Sequence, residues 1–491
     1  MKNLLVFTAF IFAALFCLSY NSNSQWLNDF RLESDLTSSQ TAGNNGKSII
    51  VKGDTVIVVW QTSTNPTVSL YSKRSTNGGL SWQDSVRVEA SYSYESYNPA
   101  AAISNNKCYV AHIRKESGIY YVRISVSHDF GNTWGYSYLV QGNDGYSKSE
   151  PSICADSANI HVVFTYKSNT GVERIMYRRS TNTGYDFNFS TTWFTTAEAQ
   201  TLPSITFSGT KLYMSYTEVT DGNGDIKFLG SSNNGGSWQS FQITNDTSSQ
   251  TRSSIAGTGD HVYIVWNDSK YGSIDIIAKR STNGGSSWFT ETRLTSHSSD
   301  QYRANIAANG TNVHIVWEDN RDNNEIYYLS GTNYGAAWQS IVRLTDNSAV
   351  SKLPSIAVSG NTVHVVWIDE RTGDGDVYYK RNPTGNTIGI TNTGTGIPNK
   401  CELLQNYPNP FNPTTQFGFR IADFGLVRLT VFDALGRDVD VLVNQQLQPG
   451  TYEVSWDASN YPSGVYYYRL QASDPSTSLR VTETKKMILL K

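Results

Sequence analysis

The sequence has little of what metal centres, nucleic-acid surfaces and membrane spans are made from. Of its 491 residues only four are cysteine and seven are histidine. Cys108, Cys154 and Cys401 have no metal-ligand spacing, so no zinc site is encoded. Cys108 and Cys154 fall on strands of consecutive repeats and read as buried thiols, with a bridge between them as the alternative. Charged residues make up 16% of the chain and the net charge is -3, which leaves no basic stripe for nucleic acid. Asp221-Gly222-Asn223-Gly224-Asp225 begins like a calcium loop, but the glycine at the sixth place and the distal glutamate are missing. It reads as a turn, as does Asp374-Gly375-Asp376, and neither a metal nor a cofactor is expected. Beyond the N-terminal segment no apolar run is long enough for a transmembrane segment.

That segment, Met1 to Ser24, has Lys2, an apolar core from Leu4 to Leu18 and a Ser22-Asn23-Ser24 end of small-x-small character. These are the parts of a secretory signal peptide, so export is expected. A lipoprotein site at Cys17 fits less well, because Phe16 before it is bulky.

Aromatic residues and turn formers are what the chain has in quantity, with 30 Tyr, 12 Trp and 38 Gly. That composition suits many short strands joined by tight turns. An eight-residue pattern recurs six times: Ser75 to Trp82, Ser127 to Trp134, Ser180 to Phe187, Ser231 to Trp238, Ser281 to Trp288 and Gly331 to Trp338. Its Asn or Asp can bond its own downstream backbone, a Gly supplies positive φ, and the closing Trp is expected to fold back on its own hairpin. None of these residue types makes a nucleophile or an acid/base pair, so the motif is structural.

Each motif follows an apolar strand, and there are seven such strands, ending at Trp60, His112, Phe164, Tyr216, Trp266, Trp317 and Trp367. Their ends are separated by 52, 52, 52, 50, 51 and 50 residues. Four strands per unit of that length is the pattern of a propeller blade. The seventh unit stops near Pro383 without a fourth strand, and Asp29 to Glu33 resembles the fourth strand at Thr292 to Thr295. The expectation is an all-β seven-bladed β-propeller over residues 25–383 in which the N-terminal strand closes the last blade. Six blades is the fallback if the third unit is irregular.

The recurring turn resembles the Asp-box, or BNR repeat, of sialidase-like β-propellers; Asp129 keeps the family's usual acid and the other copies carry Asn. An active member implies three arginines on a substrate carboxylate, a Tyr–Glu nucleophile pair and an Asp acid/base, the first Arg standing in an Arg-Ile-Pro stretch. This sequence has no such stretch, so no catalytic residue is carried over.

Residues 384–400 are rich in Gly, Thr and Asn without periodicity and read as a linker. The remainder, 401–491, opens with Leu404-Gln405-Asn406-Tyr407-Pro408-Asn409-Pro410-Phe411-Asn412-Pro413 and continues in alternating strands to a basic and apolar tail. It resembles the C-terminal sorting domain of type IX secretion cargo, a small β-sandwich. The resemblance implies type IX machinery as a partner, then attachment to the outer cell surface or release.

Site candidates are residues that break the internal repeat on the face away from the turn motifs. Two residues beyond each apolar strand's end, four consecutive units carry Glu218, Asp268, Asp319 and Asp369. Because Arg321 and Arg371 follow two of them, a local Asp–Arg pair ordering the loop is the plainer reading, and a ligand site the other. Arg252 and Arg303 enter the first strands of units five and six where Leu202 and Leu353 stand elsewhere. With Tyr302 and Glu150 they could hold a carboxylated sugar, or pair with neighbouring acids. His112 replaces Trp beside Arg114, the pair a polysaccharide lyase would need as base and uronate-neutralising group; packing is the alternative. No long insertion walls off a pocket, which favours a display surface. The function expected is therefore a secreted or surface-attached binding module for extracellular or surface glycans. The alternative is a carbohydrate-active enzyme, either a divergent sialidase-type hydrolase or a uronate lyase.

Overall fold

The computed structural model describes residues 26–490 apart from 34–38, 41–46, 63–67, 90–93, 142–145, 168–170, 194–197, 384–390, 395–397, 459–460, 474–479 and the single positions 188, 340, 374, 424 and 448. The expected signal peptide lies outside the described residues. The chain divides into a unit of Gln25–Gly389 and a second containing Ile390–Lys491.

Among the described residues the first unit forms seven successive antiparallel sheets, the third included, in a propeller-like architecture. The apolar second strands are Thr55–Thr62, Lys107–Glu116, Asn159–Lys167, Lys211–Thr220, His261–Asp268, Asn312–Asp319 and Thr362–Asp369. Their central residues are buried on both faces, which is why they read as continuous apolar runs rather than as an alternation. One core cluster joins Phe228 of the fourth sheet to Ile255, Val262 and Trp266 of the fifth. Another joins Val377 and Tyr379 of the seventh sheet to Ile49, Val56 and Trp60 of the first.

Phe30–Arg31 supplies the fourth strand of the seventh sheet, with Phe30 opposite Tyr379 and Arg31 opposite Tyr378. Arg31 Nη2 lies 2.8 Å from Asp376 Oδ2 and so anchors the strand. Lys73 Nζ of the first sheet donates to Leu32 O at 2.5 Å. Innermost strands are also linked from sheet to sheet. Backbone N–H groups of Ile205, Ile255, Ile306 and Ile356 donate to Ser152, Ser204, Ser254 and Asn305 at 3.2 to 3.4 Å. Ser48 N donates to Ser355 Oγ at 3.1 Å, a bond of the same kind between the seventh sheet and the first, made from one residue earlier on the donor strand.

The recurring turn is built as its residue types require, with one difference. Asn283 Oδ1 accepts from Ser287 N at 2.9 Å, and Ser281 Oγ accepts from Gly285 N at 2.9 Å. Gly285 has φ +85°, and a Cβ there would stand 2.3 Å from the Phe228 ring. The closing Trp folds back over its own turn, as Trp288 Nε1 donating to Gly285 O at 3.1 Å shows, but its ring reaches further than the hairpin. It packs on the preceding sheet, Trp288 on Phe228 with ring centroids 5.0 Å apart, Trp238 on Tyr177 at 5.2 Å and Trp82 on Tyr379 at 4.9 Å. The reason is that the hairpin's own apolar strand is already covered on both faces, so the free apolar surface lies on the neighbour. Arginines follow the same pattern: Arg74 Nη1 donates to Asp129 O, Arg179 Nη1 to Asn234 O and Arg381 Nη1 to Gly78 O, at 2.9, 2.6 and 2.5 Å. The turn is a clasp between sheets.

Among the described residues the second unit has two four-stranded sheets. One runs Thr391–Gly394, Gly450–Asp457, Thr414–Ile421 and Glu402–Leu403; the other runs Asp438–Leu447, Gly425–Phe432, Gly464–Ser473 and Arg480–Leu489. Thr391–Gly394, within the segment expected as a linker, thus pairs with Gly450–Asp457. Phe417 of one sheet meets Tyr468 of the other with ring centroids 4.5 Å apart. The proline-rich opening clamps the last strand, where Asn409 Oδ1 accepts from Ile488 N at 3.0 Å and Phe411 N donates to Ile488 O at 3.0 Å. No described helix is long and apolar enough to cross a membrane.

Candidate functional site

The site is assembled at the start of the innermost strands, where, among the described residues, six share one irregularity. Six of them shift register against their partner strand, and the residue at the shift has positive φ: Asn98, Glu150, Leu202, Arg252, Arg303 and Leu353, between 51° and 56°. None is glycine, so each bulge stores strain of about 1 kcal/mol and must be held by its surroundings. Side chains supply the hold. Asn98 N donates to Gln61 Oε1 at 2.7 Å, Leu202 N to Glu150 Oε2 at 3.0 Å, Arg303 N to Asn267 Oδ1 at 3.1 Å and Leu353 N to Glu318 Oε1 at 2.7 Å.

Four charged groups from the third, fifth and sixth sheets share this place. Arg303 Nη1 donates to Glu318 Oε1 and Oε2 at 3.2 and 3.0 Å, and Glu318 is wholly buried. Asn324 Nδ2 donates to Glu318 Oε2 at 3.3 Å, while Tyr302 Oη donates to Asn324 Oδ1 at 2.9 Å. Arg252 is pushed below its ordinary pKa by burial and then by the Arg303 charge, with Glu150 and Glu318 acting the other way. Glu150 accepts from Leu202 N and, at 3.0 Å, from Thr165 Oγ1. Burial nevertheless pushes its carboxyl up, against those bonds and Arg252. The arrangement sets the Arg252 guanidinium in the field of one like charge, Arg303, and two carboxyls, Glu150 and Glu318.

The other sequence candidates serve their own sheets. Asp319 accepts from Trp317 Nε1 at 3.2 Å and from Arg321 Nε and Nη2 at 2.8 and 2.6 Å. Asp369 does the same with Trp367 Nε1 at 3.0 Å and Arg371 Nε and Nη2 at 2.8 and 2.6 Å. Asp268 accepts from Trp266 Nε1 at 3.0 Å and from Lys270 N at 2.9 Å. Glu218 pairs with Lys227 Nζ at 2.8 Å. His112 is 0% exposed and lies inside the second sheet, its Nε2 3.3 Å from Ser125 Oγ and 3.7 Å from Glu89 Oε1. Arg114 Nη1 donates to the same Glu89 at 3.2 Å. A buried histidine cannot reach a substrate at the surface, so packing is the reading that applies. Its pKa is lowered by burial, against the pull of Glu89. Cys108 and Cys154 are both buried free thiols.

Sequence comparison of the repeats missed Glu318, the carboxylate that organises the site. It stands one residue beyond the apolar strand's end, where Gln61, Thr165, Thr217 and Asn267 stand in other units. A polar residue recurring at that place was the available signal.

Residues 405–488 match the secretion system C-terminal sorting domain. That domain marks the chain for type IX export to the cell surface or beyond. In fold, the chain is similar to a polysaccharide lyase of family PL25, an ulvan lyase, at 12% identity and a TM-score of 0.51, over 72% of this chain and 95% of that one. A structure of the family bound to -[GlcA(1-4)Rha3S]- is similar at 12% identity and a TM-score of 0.50, over 72% of this chain and 95% of that one. The polysaccharide lyase Uly1 is similar at 10% identity and a TM-score of 0.50, over 74% of this chain and 100% of that one. No curated protein matches. At such identities the likeness is one of fold.

Proposed function

We propose that the first unit is a closed seven-bladed β-propeller of the sialidase-like, Asp-box kind, followed by a β-sandwich sorting domain, and that it binds extracellular or surface glycans without cleaving them. Closure is supported by the repetition, between the seventh sheet and the first, of bonds found between other neighbours: Ser48 to Ser355 and Arg381 to Gly78. The ligand reading rests on one observation, the gathering of Arg252, Arg303, Glu150 and Glu318 at the bulged starts of the inner strands. A guanidinium there suits a carboxylated sugar, because planar bidentate pairing gives orientation as well as attraction.

Binding without turnover is favoured because the acids that could act are engaged. Glu318 is tied to Arg303 and Leu353 N, and Asp319 and Asp369 are tied to their own loops. The second reading, a hydrolase or a uronate lyase, is favoured by Glu150, whose raised pKa beside Arg252 is what a general acid needs. The mature full-length chain, incubated with sialylated and uronic-acid glycans, separates the two. Binding with no new reducing end or unsaturated uronate supports the module; turnover abolished by Glu150→Gln establishes the enzyme.

A further inference from the structure

The third copy of the turn motif carries an aromatic ring that the turn does not need. Its sixth place holds Tyr185, where the other copies have Leu80, Asn132, Gly236, Ser286 and Ala336, and its plug is the separate, buried Phe187. The fourth strand of the second sheet departs from the repeat as well. With fourth strands aligned by their partners on the third, Tyr136 stands where Asp84, Gln239, Thr290 and Asn28 stand in other units. Tyr136 is 80% exposed and Tyr185 48% exposed, so neither ring fills a core.

The fold brings these rings to one face. A Cβ on Gly184 would stand 3.5 Å from Val126 and 3.8 Å from Ile124, so the third sheet's turn lies on that side of the second sheet. Ile124 pairs with Tyr138, and side chains directly opposite share a face. Gly135 N donates to Val126 O at 3.3 Å, which carries the ladder past Tyr136 and sets it, two residues before Tyr138, on the same side. Tyr185 meets Tyr138 edge-on with ring centroids 4.9 Å apart, and its Oη lies 3.2 Å from Nε2 of the exposed His128. The Tyr185 ring is therefore held at its hydroxyl and along one edge while much of it faces solvent.

Aromatic faces fixed in water suit a partner with a C–H-rich face and hydroxyls at its rim, which describes a pyranose ring. A stable protein–protein interface takes about 20 to 30 residues a side, far more than this cluster supplies, whereas a short run of sugar units needs only a few rings. We infer that the ledge of Tyr136, Tyr138 and Tyr185 binds a neutral polysaccharide by stacking against its pyranose rings. No charge is called for, because the ring faces meet C–H groups. The ledge lies on the turn side of the sheets, and Arg252 and Arg303 stand at the other ends of the strands, so this site is independent of the carboxylated-glycan reading.

The test is native electrophoresis of the mature full-length chain through gels containing hydroxyethyl cellulose, galactomannan, xylan or laminarin, neutral polymers that alter mobility only by binding. The expected result is retardation by at least one of them, weakened about fivefold to tenfold in Tyr185→Ala and in Tyr136→Ala. Tyr185→Phe keeps the ring and should keep most of the retardation, and Arg252→Ala should leave it unchanged. Unaltered mobility of the unsubstituted chain in all four gels overturns the inference. So does retardation that survives both alanine substitutions, or that is lost in Arg252→Ala. Tyr136 is almost fully exposed, so its alanine variant gives a folded protein even where Tyr185→Ala does not.

Discussion

Arg303 and Glu318 face one another across the first two strands of the sixth sheet, a guanidinium nitrogen 3.2 and 3.0 Å from the two carboxylate oxygens. The same carboxylate accepts the Leu353 N–H of the next sheet at 2.7 Å. One buried acid thereby orients an arginine at the candidate site and caps the strained bulge beside it. Breaking a buried pair from one side leaves the other charge uncompensated. Glu318→Ala should therefore destabilise the first unit by about 3 kcal/mol, more than Glu318→Gln, which keeps a cap for Leu353 N. Urea unfolding followed by tryptophan fluorescence measures the difference.

The recurring turn predicts a substitution that should be nearly silent. Asn283→Asp keeps the acceptor for Ser287 N and should shift the unfolding midpoint little. Asn283→Ala removes the Ser287 N bond at 2.9 Å and the Nδ2 bond to Ser287 Oγ at 2.8 Å, at a cost of about 1 to 2 kcal/mol. Equal midpoints for the two variants would show that the hydrogen bonds of the turn do not support it.

Two carboxyls set the acid limit. Burial raises the Asp129 carboxyl, but bonds from Thr133, Ser127 and Asn132 outweigh it and hold the group at about 2. Burial likewise opposes ionisation of Glu89, yet His112, Ser137, Ser96 and Arg114 together bring it to about 2. Both values are depressed, so each group's contribution is complete above its ordinary value and fades as pH falls toward about 2. Acid titrations of Asp129→Asn and Glu89→Gln should show a shallower loss of stability across that window than the unsubstituted chain. At neutral pH the Glu89→Gln variant should be the less stable of the two, because Glu89 is 3% exposed and Asp129 only half-buried.

The N-terminal strand is predicted to hold the seventh sheet by its side chains as much as by its ladder. Leu32 is 1% exposed in the core shared by the seventh and first sheets, and truncating such a residue costs about 2 to 5 kcal/mol. Leu32→Ala should lower the thermal midpoint and make Tyr378 and Tyr379 accessible to limited proteolysis nearby. An unchanged midpoint would mean that the strand contributes little to the fold.

The strand pattern was readable because it is local. Seven apolar runs at nearly equal spacing, each bounded by turn residues, specify seven sheets, and Phe30-Arg31-Leu32 could be matched to the seventh by its likeness to Thr292-Arg293-Leu294. Contacts between units were not readable in the same way. The turn Trp was expected to fold back on its own hairpin and does so, but that it also covers the preceding sheet was not readable, since nothing in the local sequence says which neighbouring surface is free. The site was legible in half. Arg252 and Arg303 stood out as departures from leucine, whereas Glu318 blended into a position that is polar in most units. His112 was conspicuous in sequence and proves to be interior, because a strand residue's direction depends on what packs over the sheet.

The central claim is that Arg252 and Arg303 recognise a carboxylated glycan, and calorimetric titration of the mature full-length chain tests it most directly. The ligands are a uronate-containing oligosaccharide and the same oligosaccharide with its carboxyl groups reduced to alcohols. Binding of the acid form should fall at least about tenfold on carboxyl reduction, and by a similar factor in Arg252→Ala, since one charge-assisted pair is worth about 1.5 to 3 kcal/mol. Equal affinity for the acid and the reduced oligosaccharide, or undiminished binding by Arg252→Ala, would contradict it.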